Sequence, residues 1–426
     1  MMLASSLLGP AIAAAVVLGL GGRAGGQASP AIAPPSASDF NRDAVQRGFA
    51  LAKVGDCQTC HTAEGGDPYA GGRAIGTPFG AVYATNITPD PTTGIGRWSS
   101  TAFLRAMRQG VRRDGAHLYP AFPYDHFNHA ADADIADLYA YLMTRRAVSA
   151  STPPNKLIPP VGFRPIIGLW KALFFRPRPF VPNPAHDAAW NRGAYLVDSL
   201  GHCGGCHTPH NWLGAEREKR ALDGGWAEGW YAPPLNAASP AATAWTVDRL
   251  RAYLRNGLDA NHAAAAGPMG PVVHELARAS DDDVRAIAVY LADQMRASLA
   301  ASGARAPPPD RAAQAAREYP AGASLFAGAC AICHEAGGGM MLQGRPALQL
   351  GTPLHEDDPR DTVQIVLQGL RPPVGAAGPF MPSFRDSFTD TQVADLVAYL
   401  RSRYSDRPAW RNLPGAVSKA RREGAG

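Results

Sequence analysis

The sequence predicts a mainly α chain built from three tandem domains joined by Pro-rich linkers. Three observations carry that expectation. A C-x-x-C-H pentad occurs three times, a helical stretch stopped by glycine follows each pentad, and an amphipathic helix ending in Tyr-Leu closes each repeat. The length of 426 residues suits about three domains of ordinary size.

The pentads are Cys57-Gln-Thr-Cys60-His61, Cys203-Gly-Gly-Cys206-His207 and Cys330-Ala-Ile-Cys333-His334, and they use all six cysteines. This is the attachment signature of c-type haem. Two thiols on one turn add across the two vinyl groups of the porphyrin, and the next residue offers an imidazole to the iron. A zinc site needs four ligands gathered closely, usually from two neighbouring pairs. Here the pairs stand 146 and 127 residues apart, each with its own histidine. No βαβ pattern surrounds a pentad, as a thioredoxin-like dithiol requires. Disulfides between such near neighbours constrain almost no chain. The spacing therefore predicts three covalently bound haem c groups, held by Cys57, Cys60, Cys203, Cys206, Cys330 and Cys333, with His61, His207 and His334 on the irons.

Each repeat then runs through the same elements. Helical stretches ending at Gly110, Gly257 and Gly369 follow the pentads, and glycine after an apolar-periodic run is a helix stop. Trp98 and Trp245 precede the first two. The closing helices span 132–142, 281–291 and 389–400 and end in Tyr141, Tyr290 and Tyr399, each followed by leucine. Acidic residues in their first turns suit the positive end of the helix dipole. The domains are expected at 40–148, 186–299 and 317–404.

Between the glycine and the closing helix, the iron needs its second axial ligand. Met269 and Met381 lie at the same offset, 12 residues past Gly257 and Gly369, in Met269-Gly270-Pro271 and Met381-Pro382. A lone methionine is usually core filler, but two at one offset downstream of a pentad point to iron. His/Met ligation raises haem potential. The same offset in the first repeat falls on Phe122, which cannot bind iron. Either a neighbouring histidine (His126, His129 or His117) replaces the thioether, or that iron is five-coordinate. His126 is the preferred candidate because it lies in the same aromatic-rich loop. Met107 sits inside the middle helix and is expected in the core.

Outside the repeats, residues 1–28 read as a signal peptide cleaved near Ala28, or as an uncleaved N-terminal anchor, since Leu3 to Leu20 are almost wholly apolar. Residues 149–185 are expected as a linker carrying an apolar patch, Arg164 to Arg176. That patch is too short to span a bilayer, and docking on a cytochrome domain or partner is favoured over membrane contact. Residues 300–316 read as a plain linker and 405–426 as a polar tail. The net charge of +5 is modest and its Lys and Arg are dispersed, which argues against nucleic acid.

These residues resemble the tri-haem cytochrome c subunits of bacterial membrane-associated dehydrogenases, of the alcohol and gluconate dehydrogenase type. The likeness rests on the three pentads, on Trp190-Asn191-Arg192-Gly193-Ala194-Tyr195-Leu196 and on Met381-Pro382-Ser383-Phe384. It implies three class I cytochrome c domains and a non-catalytic electron-transfer subunit in the periplasm, on the outer face of the cytoplasmic membrane. Such a subunit carries electrons from a dehydrogenase catalytic subunit to quinone, a soluble cytochrome or a terminal oxidase. Phe122, with Tyr124-Asp125-His126-Phe127 after it, resembles the branch paired with molybdenum hydroxylases that have an iron-sulfur subunit. The other class of function is a multi-haem peroxidase-like enzyme with an open first haem; the two methionine positions favour electron transfer.

Overall fold

A computed structural model describes residues 26–241, 243–302, 308–335, 347–372 and 379–423. The export segment expected over 1–28 therefore lies almost wholly outside the described residues. The chain divides into two compact units, Met1–Pro182 with Asp198–His202, and Asn183–Val197 with Cys203–Gly426. No helix among the described residues is long and apolar enough to cross a membrane.

The first unit holds α1 (Arg42–Val54), α2 (Cys57–Cys60), the hairpin β1 (Ala74–Thr77) and β2 (Gly80–Tyr83), α3 (Ser100–Gln109), α4 (Tyr124–Phe127) and α5 (Asp132–Met143). Asn41 caps α1 by accepting from the amides of Asp43 and Ala44, and Ser99 caps α3 by accepting from Ala102. Gly110 ends α3 at a φ of 59°, and a Cβ there would lie 2.6 Å from Cγ of the Tyr124 ring. Backbone conformation and packing thus both require glycine. α1 lies across α5 over a core that includes Leu51, Phe103, Met107, Ile135, Leu138 and Leu142. Met107 is buried there, as expected. Leu200 joins the same core from the 198–202 segment.

Residues 149–185 are more than a linker. β3 (Lys156–Leu157) extends the hairpin into an antiparallel β1-β2-β3 sheet, with Gly80 opposite Leu157. α6 (Ile166–Phe174) then docks on the first unit. Trp170 and Phe175 both meet the buried Tyr124 ring edge-on, at 6.5 and 5.2 Å. The Pro-rich composition hid these elements because a two-residue strand and a nine-residue helix leave little periodicity to read.

The second unit holds α7 (Ala188–Asp198, whose last residue belongs to the first unit), α8 (Gly204–His207), the hairpin β4 (Gly225–Ala227) and β5 (Trp230–Ala232), α9 (Val247–Asn256), the pair β6 (Leu258–Asp259) and β7 (Ala263–Ala264), α10 (Met269–Leu276) and α11 (Asp281–Ser302). It continues through α12 (Ala312–Glu318), α13 (Pro320–Ala329), α14 (Ala331–His334), α15 (Arg360–Gln368), α16 (Asp390–Tyr404) and α17 (Leu413–Glu423). The second and third pentads therefore share one unit. The β4-β5 hairpin is tied to α15: the Tyr231 amide donates to Asp361 at 2.9 Å, and the Gln364 side chain donates to the Gly229 carbonyl at 2.7 Å.

Two segments differ from the sequence reading here. The stretch 405–426, expected as a polar tail, carries α17, which packs on α15 and α16. Leu413, Val417 and Ala420, spaced four and three, form one buried face among the charged residues. In the linker expected at 300–316, Asp310 is bound by the Arg403 guanidinium at 2.8 Å and α12 begins at Ala312.

One packing relation occurs three times. Gly48 of α1, Gly193 of α7 and Gly322 of α13 each lie against the backbone of a closing helix. A Cβ at these positions would stand 2.8, 2.8 and 2.7 Å from the Cβ of Tyr141, Tyr290 and Tyr399, and would overlap the carbonyls of Asp137, Ala286 and Asp395. These tyrosines are the ones that mark the end of each repeat in the sequence.

Candidate functional site

Each pentad closes a single helical turn. The amides of His61, His207 and His334 donate to the carbonyls of Cys57, Cys203 and Cys330 at 3.1, 3.0 and 3.0 Å. Residues three apart on such a turn share a face, so both sulfurs of a pentad point the same way. No disulfide joins them. Cys330 lies in the third pentad's apolar core, where burial and then the neighbouring Cys333 push its thiol up to about 11. Cys57 packs against the core of the first unit.

The first two pentad histidines are oriented alike. The Nδ1 of His61 lies 2.6 Å from the Thr85 carbonyl, and the Nδ1 of His207 lies 2.6 Å from the Pro233 carbonyl. A carbonyl only accepts, so Nδ1 carries the proton and Nε2 keeps its lone pair for a metal. Burial lowers the pKa of both rings, and the hydrogen bond to the carbonyl opposes this. The result is a neutral, fixed imidazole whose outer-shell contact also raises its basicity as a ligand. The carbonyls of Thr85 and Pro233 escaped the sequence reading because every residue has one; only folding selects which is used.

The expected second-ligand positions are held by backbone. Met269 is the first residue of α10 and is half-buried, its amide donating to Ala266 at 3.1 Å. Just before it, Gly267 has a φ of 50° and leaves room for the Trp230 indole. Met381 and Leu370 exchange both backbone hydrogen bonds at 2.9 Å, which fastens the methionine to the residue after Gly369.

In the first unit, Phe122 occupies the corresponding place. It meets Phe127 edge-to-face at 5.2 Å and packs on the core that Cys57 also touches. His126 is buried, with Nδ1 2.9 Å from the Asp198 carbonyl. His129 is buried beside it and pairs through Nδ1 with the Asp198 carboxylate at 2.9 Å. Burial raises the Asp198 carboxyl, but the hydrogen bond and charge of His129 outweigh this and hold it below its ordinary value. His117 lies elsewhere, 3.2 Å from the Lys171 ammonium, with its pKa lowered to about 4 by burial and then by that charge.

Known proteins share these features. Residues 45–146 match the family model described as cytochrome c, and residues 317–400 match that of cytochrome c oxidase, cbb3-type, subunit III. The fructose dehydrogenase cytochrome subunit of Gluconobacter japonicus is 36% identical over 400 residues, covering 88% of this chain and 82% of that protein. The chain belongs to the family of dehydrogenase cytochrome c subunits. The gluconate 2-dehydrogenase cytochrome c subunit of Pantoea cypripedii is 38% identical over 394 residues, covering 87% of this chain and 88% of its own. A nicotinate dehydrogenase subunit of Pseudomonas putida is 46% identical over 393 residues, which is 92% of this chain and 33% of that protein. The chain thus spans about a third of the length of that relative.

Cytochrome c domains carry covalently bound haem c, and the residues present fit it. Each pentad offers two cysteines on one turn and an imidazole in the next position, and the first and third lie against apolar cores. The chain is an electron-transfer cytochrome c by family.

Proposed function

We propose that this chain binds three haem c groups in three tandem class I cytochrome c domains and carries electrons from a periplasmic dehydrogenase catalytic subunit. The observation that carries this reading is the pentad turn, formed three times with the same backbone hydrogen bond. The threefold glycine crossing, at Gly48, Gly193 and Gly322, supports three equivalent domains. Bound haem c supplies a one-electron ferric/ferrous couple. The protein holds His61, His207 and His334 on one side, with Met269, Met381 and His126 as the proposed opposite ligands.

His126 is favoured in the first domain by its local geometry. Its buried ring has Nδ1 on a backbone carbonyl, as His61 and His207 do. Bis-histidine ligation sets this haem below the two His/Met haems in potential, so it accepts first and electrons pass on toward quinone, a soluble cytochrome or a terminal oxidase. The nicotinate dehydrogenase relative supports a nicotinate-class substrate for the partner, and the resemblance carried by Phe122 and Tyr124-Asp125-His126-Phe127 supports a molybdenum hydroxylase with an iron-sulfur subunit. Export to the periplasm and association with the outer face of the cytoplasmic membrane complete the proposal.

Haem counting tests it. A pyridine haemochrome assay on purified protein is expected to give three haems per chain, and two after replacing Cys57 and Cys60 by alanine; two in the parent chain would sink the three-domain reading. Low-temperature spectra of His126→Ala and His129→Ala test the first ligand, and no change in the former removes His126. Phe122 favours a second reading, a peroxidase-like open first haem. A high-spin ferric spectrum with peroxide turnover by the isolated chain would establish it.

A further inference from the structure

α6 has two faces of different fate. Ile167, Trp170 and Lys171 face the first unit: Ile167 is buried, Trp170 meets Tyr124, and the Lys171 ammonium donates to the carbonyls of Gln109 and Gly110 at 2.6 Å each. Leu169, Ala172, Leu173 and Arg176 follow the i, i+3, i+4, i+7 spacing of the opposite face, and all four are exposed. Phe163 before the helix, Ile158 beside β3 and Val181 after the helix are exposed too.

This concentration is unusual. Among the described residues, nine large hydrophobic side chains are left exposed, and five of them fall between residues 158 and 181, at 50–76% exposure. Exposed apolar side chains concentrated in this way mark an interaction site. The charge carried by the segment itself is of one sign. Between Asp137 and Asp187 the sequence contains seven Arg and Lys and no Asp or Glu. Lys156, Arg176 and Arg178 are exposed. Arg176 folds over the C-terminus of α6, donating to the carbonyls of Ala172 and Leu173 at 3.1 and 3.0 Å, which keeps its charge beside the apolar stripe.

We propose that this outer stripe seats the protein on the surface of an anionic lipid bilayer. Leu169, Leu173 and Phe163 enter the boundary between headgroups and acyl chains, while Lys156, Arg176 and Arg178 meet lipid phosphates. A nine-residue helix is about 14 Å long, far short of the ~30 Å hydrocarbon core, so it lies in the interface and does not span it. The exposed Lys156, Arg176 and Arg178 beside the stripe select an anionic surface over a neutral one. The proposal deepens the membrane association suggested above by naming the surface, and it stands apart from haem ligation and electron transfer.

Co-sedimentation of the exported, haem-loaded chain with vesicles tests it. Vesicles of equal phosphatidylglycerol and phosphatidylcholine are expected to bind the chain at least about ten-fold better than phosphatidylcholine alone, with a several-fold loss between 50 and 300 mM salt as charges are screened. The Leu169→Glu/Leu173→Glu double variant is expected to lose about ten-fold or more in binding, and Arg176→Ser/Arg178→Ser several-fold, with haem content and visible spectrum unchanged. Should the double variant misfold, Leu169→Gln with the same spectral control gives the smaller loss in the same direction. Equal binding to both lipids, no binding, or double-variant binding equal to that of the parent chain would overturn the proposal and leave a protein partner as the occupant. Haem counts stay at their parent value in every arm, so that outcome is separable from failure of the electron-carrier reading.

Discussion

Gly48 of α1 lies so close to Tyr141 of α5 that a Cβ at Gly48 would stand 2.8 Å from the tyrosine Cβ. Gly193 and Tyr290, and Gly322 and Tyr399, repeat the relation at 2.8 and 2.7 Å. The obstacle is helix backbone together with the Cβ, so a rotamer change cannot relieve it. Alanine at each glycine is expected to cost about 2–3 kcal/mol through forced backbone shifts. Gly328 provides the contrast within the same helix as Gly322, because a Cβ there meets nothing within 4 Å. Gly328→Ala is expected to stabilise by about 0.4–1 kcal/mol through the unfolded chain. Denaturant melts of the four alanine variants check this, and similar values for Gly322→Ala and Gly328→Ala would refute the crossing argument.

Phe122 stands where the other repeats have methionine. Its ring packs on Phe127 and on the core that Cys57 touches, so a thioether of similar reach fits the same space. Phe122→Met is expected to raise the potential of the first haem by ~100 mV, a small part of the ~0.8 V range that axial ligands command. Met381→Ala and Met269→Ala are expected to lower one component each. A redox titration resolved by site reads all three, and an unchanged lowest component in Phe122→Met would place residue 122 away from the iron.

How much of this was legible follows from what sequence patterns encode. The pentads, the glycine stops and the closing helices were readable because side-chain identity and period carry them: Gly110 and Gly257 do end α3 and α9, with φ of 59° and 71°. Thr85 and Pro233 were not readable, since their part is played by backbone carbonyls. α17 was missed because Leu413, Val417 and Ala420 are outnumbered by charged neighbours, although their spacing held the signal. The two-residue β3 depends on pairing with β2, a contact far away in sequence.

Lys171 fastens α6 to the end of α3. Its ammonium donates to the Gln109 and Gly110 carbonyls, lies 4.5 Å over the Tyr124 ring and faces His117 Nδ1 at 3.2 Å. Burial pulls its pKa down to about 7, while these partners favour the charged form. Lys171→Met removes the donor and leaves two helix-end carbonyls without it, at an expected cost of about 1–3 kcal/mol. Chymotrypsin, which cuts after Trp170 and Phe174, then cleaves the α6 segment faster than in the parent chain. Equal cleavage rates would show that Trp170 and Phe175 hold α6 unaided.

Asp361 gives a pH dependence whose sign can be worked out. Burial raises its carboxyl to about 7, opposed by the hydrogen bond from the Tyr231 amide, and Glu356 nearby is raised well above its usual range by burial and then by Asp361. Between the ordinary value of 3.8 and about 7, the folded chain therefore holds a proton on Asp361 that the unfolded chain has released. Folding is favoured at the acid end, and this contribution is lost as pH rises through 7. Asp361→Asn keeps an acceptor for the Tyr231 amide and cannot ionise. The parent chain is expected to lose about 2–4 kcal/mol from this site between pH 4 and 8, and the variant to lose much less. Denaturant unfolding of the second unit across that range measures the difference, and parallel pH curves would mean that Asp361 stays ionised in the fold.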